Sequence, residues 1–204
     1  MDKPTARGYL PIDGIAAYDS GVKGLVFGAE SDVVKGGRVA TVQAIGGTGG
    51  LKIGADFLKK LTPNAKVLIS DPSWENHRAI FQNAGFEVGS YRYYDAATRS
   101  VNFEGMLADL NAAAPGTIVV LHACCHNPTG YDITPAQWDQ VVAACQARQL
   151  VPFLDMAYQG FGHGIAEDGA VIGKFVAAGL NIFVSTSFSK SFSLYGERVG
   201  ALSV

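Results

Sequence analysis

Short apolar runs alternate with amphipathic segments along most of the chain. The runs have the length of strands and are rich in Val, Ile and aromatic residues, which is typical of strands buried in a sheet. Seven strands are therefore predicted, at residues 39–45, 66–70, 86–94, 117–124, 151–157, 182–188 and 198–204.

Helical patterns lie between several of these runs. Thr134, Pro135 and Gln137 have the spacing of a capping box with proline at the first helical position, and an apolar stripe follows them. Strands that alternate with helices indicate an α/β fold with a mostly parallel sheet. Because only the last strand follows without an intervening helix, we expect it to run antiparallel. Further helices are predicted at residues 48–61, 75–84 and 102–113.

Composition narrows the class of protein. Hydrophobic residues make up 48% of the chain and charged residues 17%, which fits strands buried on both faces. A net charge of -2 predicts neither nucleic-acid nor membrane binding. No apolar run reaches the roughly 18 residues of a membrane span. The chain has 3 cysteines, two of them adjacent, and this pattern favours a reducing compartment, the cytoplasm.

Unusual turns follow the strands at one predicted edge of the sheet. Ligands of open α/β sheets bind at the carboxyl ends of the strands, so these turns predict one shared site. They are GGTGG at 46–50, DPSW at 71–74, CCHNPTG at 124–130, DMAYQG at 155–160 and SFSK at 187–190.

The glycine-rich turn at 46–50 joins a strand to a helix. Such a turn lets an anion approach the free N–H groups of the helix, and the hydroxyl of Thr48 adds a donor. A flexible turn is the plain alternative. The glycine spacing matches neither the dinucleotide fingerprint nor the P-loop, so a nucleotide-binding Rossmann domain is a weak third interpretation.

Two charged residues stand at the ends of apolar strands. Asp155 is explained either as a turn residue or as a carboxylate that faces a cation, since a buried carboxylate needs a partner. Lys190 is explained either as a surface lysine or as a nucleophile held away from water, with the permanent cation Arg198 close in sequence. Arg198 could bind a phosphate through two hydrogen bonds.

Three further residues have both a structural and a functional interpretation. Trp74 is a core aromatic or, with its polar flanks, a stacking platform; Asn127 is a turn residue or a hydrogen-bond donor to a ligand oxygen. Tyr158 could direct its phenol at the ligand of Asp155. Together, an anion cradle, an aromatic plate, a carboxylate and a lysine predict a site for pyridoxal 5′-phosphate.

The cysteines invite a comparison with zinc sites. Cys124 and Cys125 are flanked by His122 and His126, but adjacent cysteines reach one tetrahedral ion with difficulty. The chain also has no CxxC pair. The sequence therefore predicts no metal site.

The motifs SFSKSFSLYGERVGALSV, HACCHNPTG, DPSWENH, FLDMAYQGF and YLPIDGI resemble those of the class I (fold type I) aminotransferases, in the aspartate/aromatic branch. The chain looks most like the bacterial aromatic-amino-acid (tyrosine) enzymes, from about Tyr9 to Val204. The resemblance implies a three-layer α/β/α domain with a seven-stranded sheet. It implies a connecting segment with dimer contacts at 1–30 and an incomplete cofactor-binding large domain at 31–204, without the small domain.

The resemblance also implies roles for individual residues. Lys190 binds the cofactor aldehyde and moves a proton, Asp155 keeps the ring nitrogen protonated, and Tyr158 bonds the 3-hydroxyl oxygen; these are the implied catalytic residues. His77 is implied as the partner of Asp155, with His122 nearby. The implied cofactor-binding residues are Tyr9, Gly47, Thr48, Trp74, Asn127, Asp155, Tyr158, Ser187, Lys190 and Arg198.

Three further implications concern geometry and assembly. Tyr9 is implied to reach the phosphate of a neighbouring subunit, which makes the expected assembly a homodimer. The bonds before Pro72 and Pro128 are implied to be cis. Gly46 stands where many aspartate-specific members have serine, which favours the aromatic branch.

The implied reaction transfers the amino group of an aromatic L-amino acid to 2-oxoglutarate through pyridoxal phosphate. An aspartate aminotransferase is the alternative within the family. The substrate-carboxylate arginines and the closing N-terminal segment of the family are expected to lie outside this chain. A cofactor-binding fragment without catalytic competence is therefore a further alternative.

Overall fold

The computed structural model describes residues 8–204. The strands are β1 (Thr41–Ile45), β2 (Lys66–Asp71), β3 (Glu87–Arg92), β4 (Tyr94–Asp95), β5 (Ser100–Val101), β6 (Ile118–His122), β7 (Val151–Met156), β8 (Phe183–Ser187) and β9 (Val199–Ser203). The α-helices are α1 (Ala16–Phe27), α2 (Asp32–Lys35), α3 (Gly46–Leu61), α4 (Glu75–Asn83), α5 (Phe103–Ala112), α6 (Pro135–Ala147) and α7 (Ile165–Ala177).

Seven strands form one sheet in the order β1-β9-β8-β7-β6-β2-β3. β9 pairs antiparallel with both of its neighbours, and the other pairings are parallel. The prediction of seven strands with an antiparallel last strand is thus confirmed. The short strands β4 and β5 pair as a separate ribbon.

Helices cover both faces of the sheet. Along β6, Ile118 and Val120 pack with α3 and α4 on one face, and Val119 and Leu121 pack with the helices α1, α5, α6 and α7 on the other. Successive strand residues point to opposite faces, so an uninterrupted apolar run serves two cores. The three-layer α/β/α architecture is confirmed.

Helix α3 lies unusually close to the sheet because glycines face it. A Cβ atom added at Gly50 would lie 2.7 Å from the carbonyl oxygen of Ala201 and 2.6 Å from Ser185 Oγ. One added at Gly54 would lie 2.5 Å from the ring of Phe153. These glycines allow α3 to pack closely on β7, β8 and β9.

The predicted helices are present. Thr134 Oγ1 accepts from Gln137 N–H at 3.3 Å, and Gln137 Oε1 accepts from Thr134 N–H at 2.8 Å, so the capping box of α6 is confirmed. The N-cap residue of α5, Asn102, accepts from Gly105 N–H at 2.9 Å. A Cβ at Gly105 would lie 2.7 Å from Asn102 Oδ1, which explains a glycine inside this helix.

Sequence reasoning missed α1, α2, α7 and the β4–β5 ribbon. Helix α1 lies inside the segment 1–30, yet its Val22 and Val26 belong to the same core as α6. Tyr18 of α1 also donates to the carbonyl oxygen of Gly200 at 2.7 Å. The domain boundary near residue 30 stays a prediction. Among the described helices, none has the length and hydropathy needed to cross a membrane.

Candidate active site

One cavity lies at the carboxyl edge of the sheet, where the turns after β1, β2, β6, β7 and β8 meet. Its volume is about 230 Å³. The predicted residues that line it are Gly47, Thr48, Trp74, His122, Asn127, Asp155, Tyr158, Ser187, Lys190 and Arg198. Ala157 and Ser189 complete the lining.

The carboxylate of Asp155 is the buried anion of this cavity. Asp155 is 5% exposed, and its Oδ2 accepts from His77 Nε2 at 2.9 Å. His77 is fully buried on α4, and its Nδ1 lies 2.9 Å from Ser73 Oγ. Because the carboxylate accepts from Nε2, this nitrogen carries a proton. The chain of hydrogen bonds from Ser73 through His77 fixes Asp155 at the wall of the cavity.

His122 lies beside the hydrogen-bonded chain of Ser73, His77 and Asp155. It pairs in register with Asp155 across β6 and β7, and its ring lies 4.8 Å from that of His77. Both ring nitrogens are buried and make no hydrogen bond to the described residues, although part of the side chain is accessible in the cavity. Burial, and then His77 and His126, hold the pKa of His122 well below its ordinary value. A neutral imidazole therefore faces the cavity.

His126 connects two of the turns. Its Nε2 lies 2.9 Å from Ser70 Oγ at the end of β2, and its Nδ1 lies 2.9 Å from Thr129 Oγ1. Its ring stacks on Tyr93 with 3.9 Å between centroids. Burial, and then His77, lower the pKa of His126 to about 4. This histidine holds the turn of Trp74 against the turn of Asn127.

Asp132 and two cis peptide bonds shape the same turns. The Asp132 carboxylate accepts the backbone N–H groups of Cys125 and His126 at 2.7 and 2.8 Å. The bonds before Pro72 and Pro128 are both cis, as the resemblance implied. The backbone just before Asn127 is therefore held by the Asp132 carboxylate.

Lys190 reaches the cavity from the turn after β8. The side chain is partly exposed, and its Nζ lies 5.0 Å from the centroid of the Tyr158 ring. Burial, and then the charge of Asp155, raise the pKa of Tyr158. The amine, the phenol and the carboxylate therefore line one small volume.

The opposite end of the cavity presents donors for an anion. Helix α3 begins at Gly46, whose φ of 77° is left-handed, and its first turn lines the cavity. Arg198 is exposed; its Nη1 donates to the carbonyl oxygen of Tyr195 at 2.8 Å and lies 3.5 Å from Ser189 Oγ. A Cβ at Gly46 would lie 2.4 Å from Arg198 Nη2, so the glycine makes room for the guanidinium.

Two predicted residues lie outside the cavity lining. His77 is behind Asp155, as the resemblance implied. The side chain of Tyr9 is fully exposed in the single chain, so its contact with another subunit stays a prediction. Sequence reasoning assigned no role to His126 or Asp132, because their contacts depend on the folded turns.

A larger cavity of about 560 Å³ lies elsewhere and is mostly apolar. Among the lining residues that the structure describes, Arg38 is the single charged one. A site for chemistry needs convergent polar groups, which the smaller cavity has and this one lacks.

The class of protein is given by a comparison with protein families. A family model described as "Aminotransferase class I and II" matches residues 1–204. The chain belongs to this aminotransferase family.

Two relatives match nearly the whole chain in sequence. The aspartate aminotransferase of Pseudomonas aeruginosa is 65% identical over 198 residues, which are 97% of this chain and 50% of that protein. The aromatic-amino-acid aminotransferase of Escherichia coli is 56% identical over 196 residues, 96% of this chain and 49% of that protein. The chain spans about half the length of these relatives.

A solved structure gives the same comparison in three dimensions. The aromatic-amino-acid aminotransferase from Burkholderia pseudomallei, covalently bound to pyridoxal phosphate, superposes with a TM-score of 0.96 at 69% identity. The match covers 98% of this chain and 50% of that chain.

Proposed function

We propose that this chain binds pyridoxal 5′-phosphate in the cavity at the carboxyl edge of the sheet. The observation that carries the proposal is that Asp155, at the end of β7, and Lys190 and Arg198, in the connection between β8 and β9, line one cavity. Each suits a different part of the cofactor, namely the aldehyde, the pyridine nitrogen and the phosphate. The chemistry of the donor set therefore fits the group.

The groups at the anion end of the cavity are hydrogen-bond donors of the kind that bind a phosphate. Hydroxyl groups of Thr48 and Ser187, the N–H groups of the first turn of α3 and the guanidinium of Arg198 are all donors. Gly47 keeps this turn close to β8, because a Cβ there would lie 3.0 Å from that of Ser187. These four residues are proposed to hold the phosphate.

The remaining assignments concern the ring. We propose that Trp74 stacks on it and that Asn127 and Tyr158 bond its 3-hydroxyl oxygen. Asp155, fixed by His77, holds a proton at the ring nitrogen. The cofactor supplies an electron sink when it is bound. Lys190 supplies the amine that binds the aldehyde and then moves a proton at the substrate Cα.

The proposed reaction is transfer of an amino group from an L-amino acid to a 2-oxo acid, with 2-oxoglutarate as acceptor. Two donor classes have specific support. Gly46, in place of the serine of many aspartate-specific members, favours an aromatic donor. The relative named aspartate aminotransferase, 65% identical, favours aspartate. We propose the aromatic donor and retain aspartate as the alternative.

Assembly and location follow from the resemblance and the composition. We propose a homodimer in which Tyr9 of each subunit reaches the other subunit's phosphate site. Its complete exposure in the single chain is compatible with that role. The cytoplasmic location stays a prediction from the cysteine pattern.

The test is covalent labelling. The chain is mixed with pyridoxal phosphate and treated with borohydride, and the labelled peptide is mapped. We expect label on Lys190, loss of label in Lys190→Ala, and unchanged labelling in Lys174→Ala, whose lysine lies on α7. Label elsewhere would refute the site.

Addition of tyrosine or aspartate to the unreduced complex then tests the reaction. Faster conversion of the bound cofactor by tyrosine supports the aromatic donor, and faster conversion by aspartate supports the alternative. Label on Lys190 without conversion by either amino acid would identify a cofactor-binding fragment that lacks catalytic competence.

A further inference from the structure

Two adjacent thiols meet a buried carboxylate at a place that has no role in the proposed reaction. The Sγ atoms of Cys124 and Cys125 and a carboxylate oxygen of Asp168 all lie within 4.8 Å of one another. Cys124 and Asp168 are 7% and 5% exposed, and Cys125 is half-buried. The sequence argument against zinc rested on the adjacency of the two cysteines and on the lack of a CxxC pair, and it did not foresee that α7 brings Asp168 here.

A thioether borders the same cluster. Met156 Sδ, at the end of β7, lies 3.8 Å from Cys124 Sγ. This is the distance of a thiol that donates to a thioether, so Met156 borders the cluster and is not one of its three ligand residues.

Asp168 is held in a fixed orientation beside the two thiols. Its carboxylate accepts the N–H groups of Gly160, Gly162 and His163 at 2.8 to 2.9 Å. These hydrogen bonds fix a carboxylate oxygen within 4.8 Å of both sulfurs.

We propose that Cys124, Cys125 and Asp168, with Met156 at the border, bind one divalent thiophilic cation of the zinc–cadmium class. On binding, two S–H bonds break, two metal–sulfur bonds form and two protons go to solvent, with no change of oxidation state. Two thiolates match the charge of a divalent ion, and the Asp168 carboxylate adds one further negative charge. Soft sulfur donors select this class of metal.

The cation site is adjacent to the cofactor site. Cys125 immediately precedes His126 and Asn127, and its Sγ lies 4.0 Å from the carbonyl oxygen of Tyr158.

The experiment is a titration of the reduced chain with Cd²⁺ in a thiol-free reductant. We expect the ultraviolet thiolate-to-cadmium absorption to saturate at one ion per chain, with two protons released. The double variant Cys124→Ser/Cys125→Ser is expected to lose the absorption. Cys145→Ser, which changes the third cysteine, buried in α6, is the matched control and is expected to keep it. Asp168→Asn is expected to weaken binding roughly tenfold or more.

A second measurement needs no variant. Saturating Cd²⁺ is expected to protect Cys125 of the wild-type chain from alkylation, as mapped by mass spectrometry. The proposal is overturned if the wild type shows no thiolate absorption, if the double variant keeps it, or if Cys125 is alkylated at the same rate with and without the ion.

Discussion

The charged side chains at the two ends of the cavity differ in burial and in their partners. At the carboxylate end, Asp155 and His77 are 5% and 0% exposed and joined by a 2.9 Å hydrogen bond. At the anion end, Arg198 is exposed; it donates to the Tyr195 carbonyl at 2.8 Å, and its contacts with Ser189 and with the Ile45 carbonyl are longer, at 3.5 and 3.4 Å.

The difference has a physical cause. A buried charge without a partner is costly, so the Asp155 carboxylate needs its hydrogen bond from His77 within the protein itself. An exposed guanidinium is satisfied by water, so the donors of Arg198 that make no short hydrogen bond can stay free until an anion arrives. The pair of Asp155 and His77 is therefore expected to matter more for stability than Arg198 does.

The largest effect on stability is expected at the carboxylate end. Asp155→Ala leaves the buried Nε2 of His77 without an acceptor, and the free energy of unfolding is expected to fall by about 3 kcal/mol. Urea unfolding of the cofactor-free chain measures this. Asp139→Ala, at an exposed carboxylate paired with Lys174, is the control and is expected to change stability by less than about 0.5 kcal/mol.

An equal loss of stability in Asp155→Ala and Asp139→Ala would show that the buried pair of Asp155 and His77 is no more stabilising than an exposed ion pair. Asp155→Asn sharpens the result, since its amide oxygen can still accept from His77. Its loss of stability is expected to be smaller than that of the alanine variant.

The reverse result is expected at the anion end. Arg198→Gln removes a charge-assisted contact, so affinity for pyridoxal phosphate is expected to fall roughly ten- to a hundredfold, with stability nearly unchanged. Arg92→Gln, outside the cavity and paired with Asp109, is the control. Unphosphorylated pyridoxal should bind wild type and Arg198→Gln equally. A similar loss for pyridoxal would mean that Arg198 does not contact the phosphate.

His126, which lies between the turn of Trp74 and the turn of Asn127, makes the free energy of unfolding depend on pH. The folded pKa of His126, about 4, lies below the 6.5 of an ordinary histidine, so between these values the unfolded chain binds the extra proton. Stability therefore falls as the pH decreases, by about 2 kcal/mol for this group between pH 7 and 5.

His126→Gln is expected to reduce the loss of stability between pH 7 and 5 by about 2 kcal/mol, as measured by urea unfolding at both values. Replacement of the exposed His163 by Gln is expected to keep the wild-type loss. If the two variants show the same pH dependence, the assigned titration of His126 is wrong.

The seven strands of the main sheet could be predicted from the sequence. Two of the missed helices, α1 and α7, show why some helices could not. Strands buried on both faces give continuous apolar runs that few other structures produce. Helices α1 and α7 contain glycines in their interiors, which lowers intrinsic helix propensity. They form because side chains such as Val22 and Phe175 are buried against the sheet, a tertiary effect.

The site shows a similar division. The polar residues after successive strands were predictable, because parallel strands place their carboxyl ends together. The contacts between turns were not, since Ser70 and His126 are 56 residues apart and meet only in the folded chain. The approach of Asp168 to the cysteines has the same cause.

The smallest effect is expected for Tyr9, which lies outside the cavity lining. If the anion end is open because its last donor comes from a second subunit, Tyr9→Phe removes one neutral hydrogen bond to the phosphate. The expected loss of pyridoxal phosphate affinity is about 1 kcal/mol, roughly fivefold, and only at concentrations where the chain is dimeric. Titrations above and below the dissociation concentration, which sedimentation determines, measure it. Tyr131→Phe, at an exposed tyrosine outside the cavity, is the control. A fivefold loss that persists in the monomer would place Tyr9 in its own subunit's site, and no loss in the dimer would remove it from the phosphate altogether.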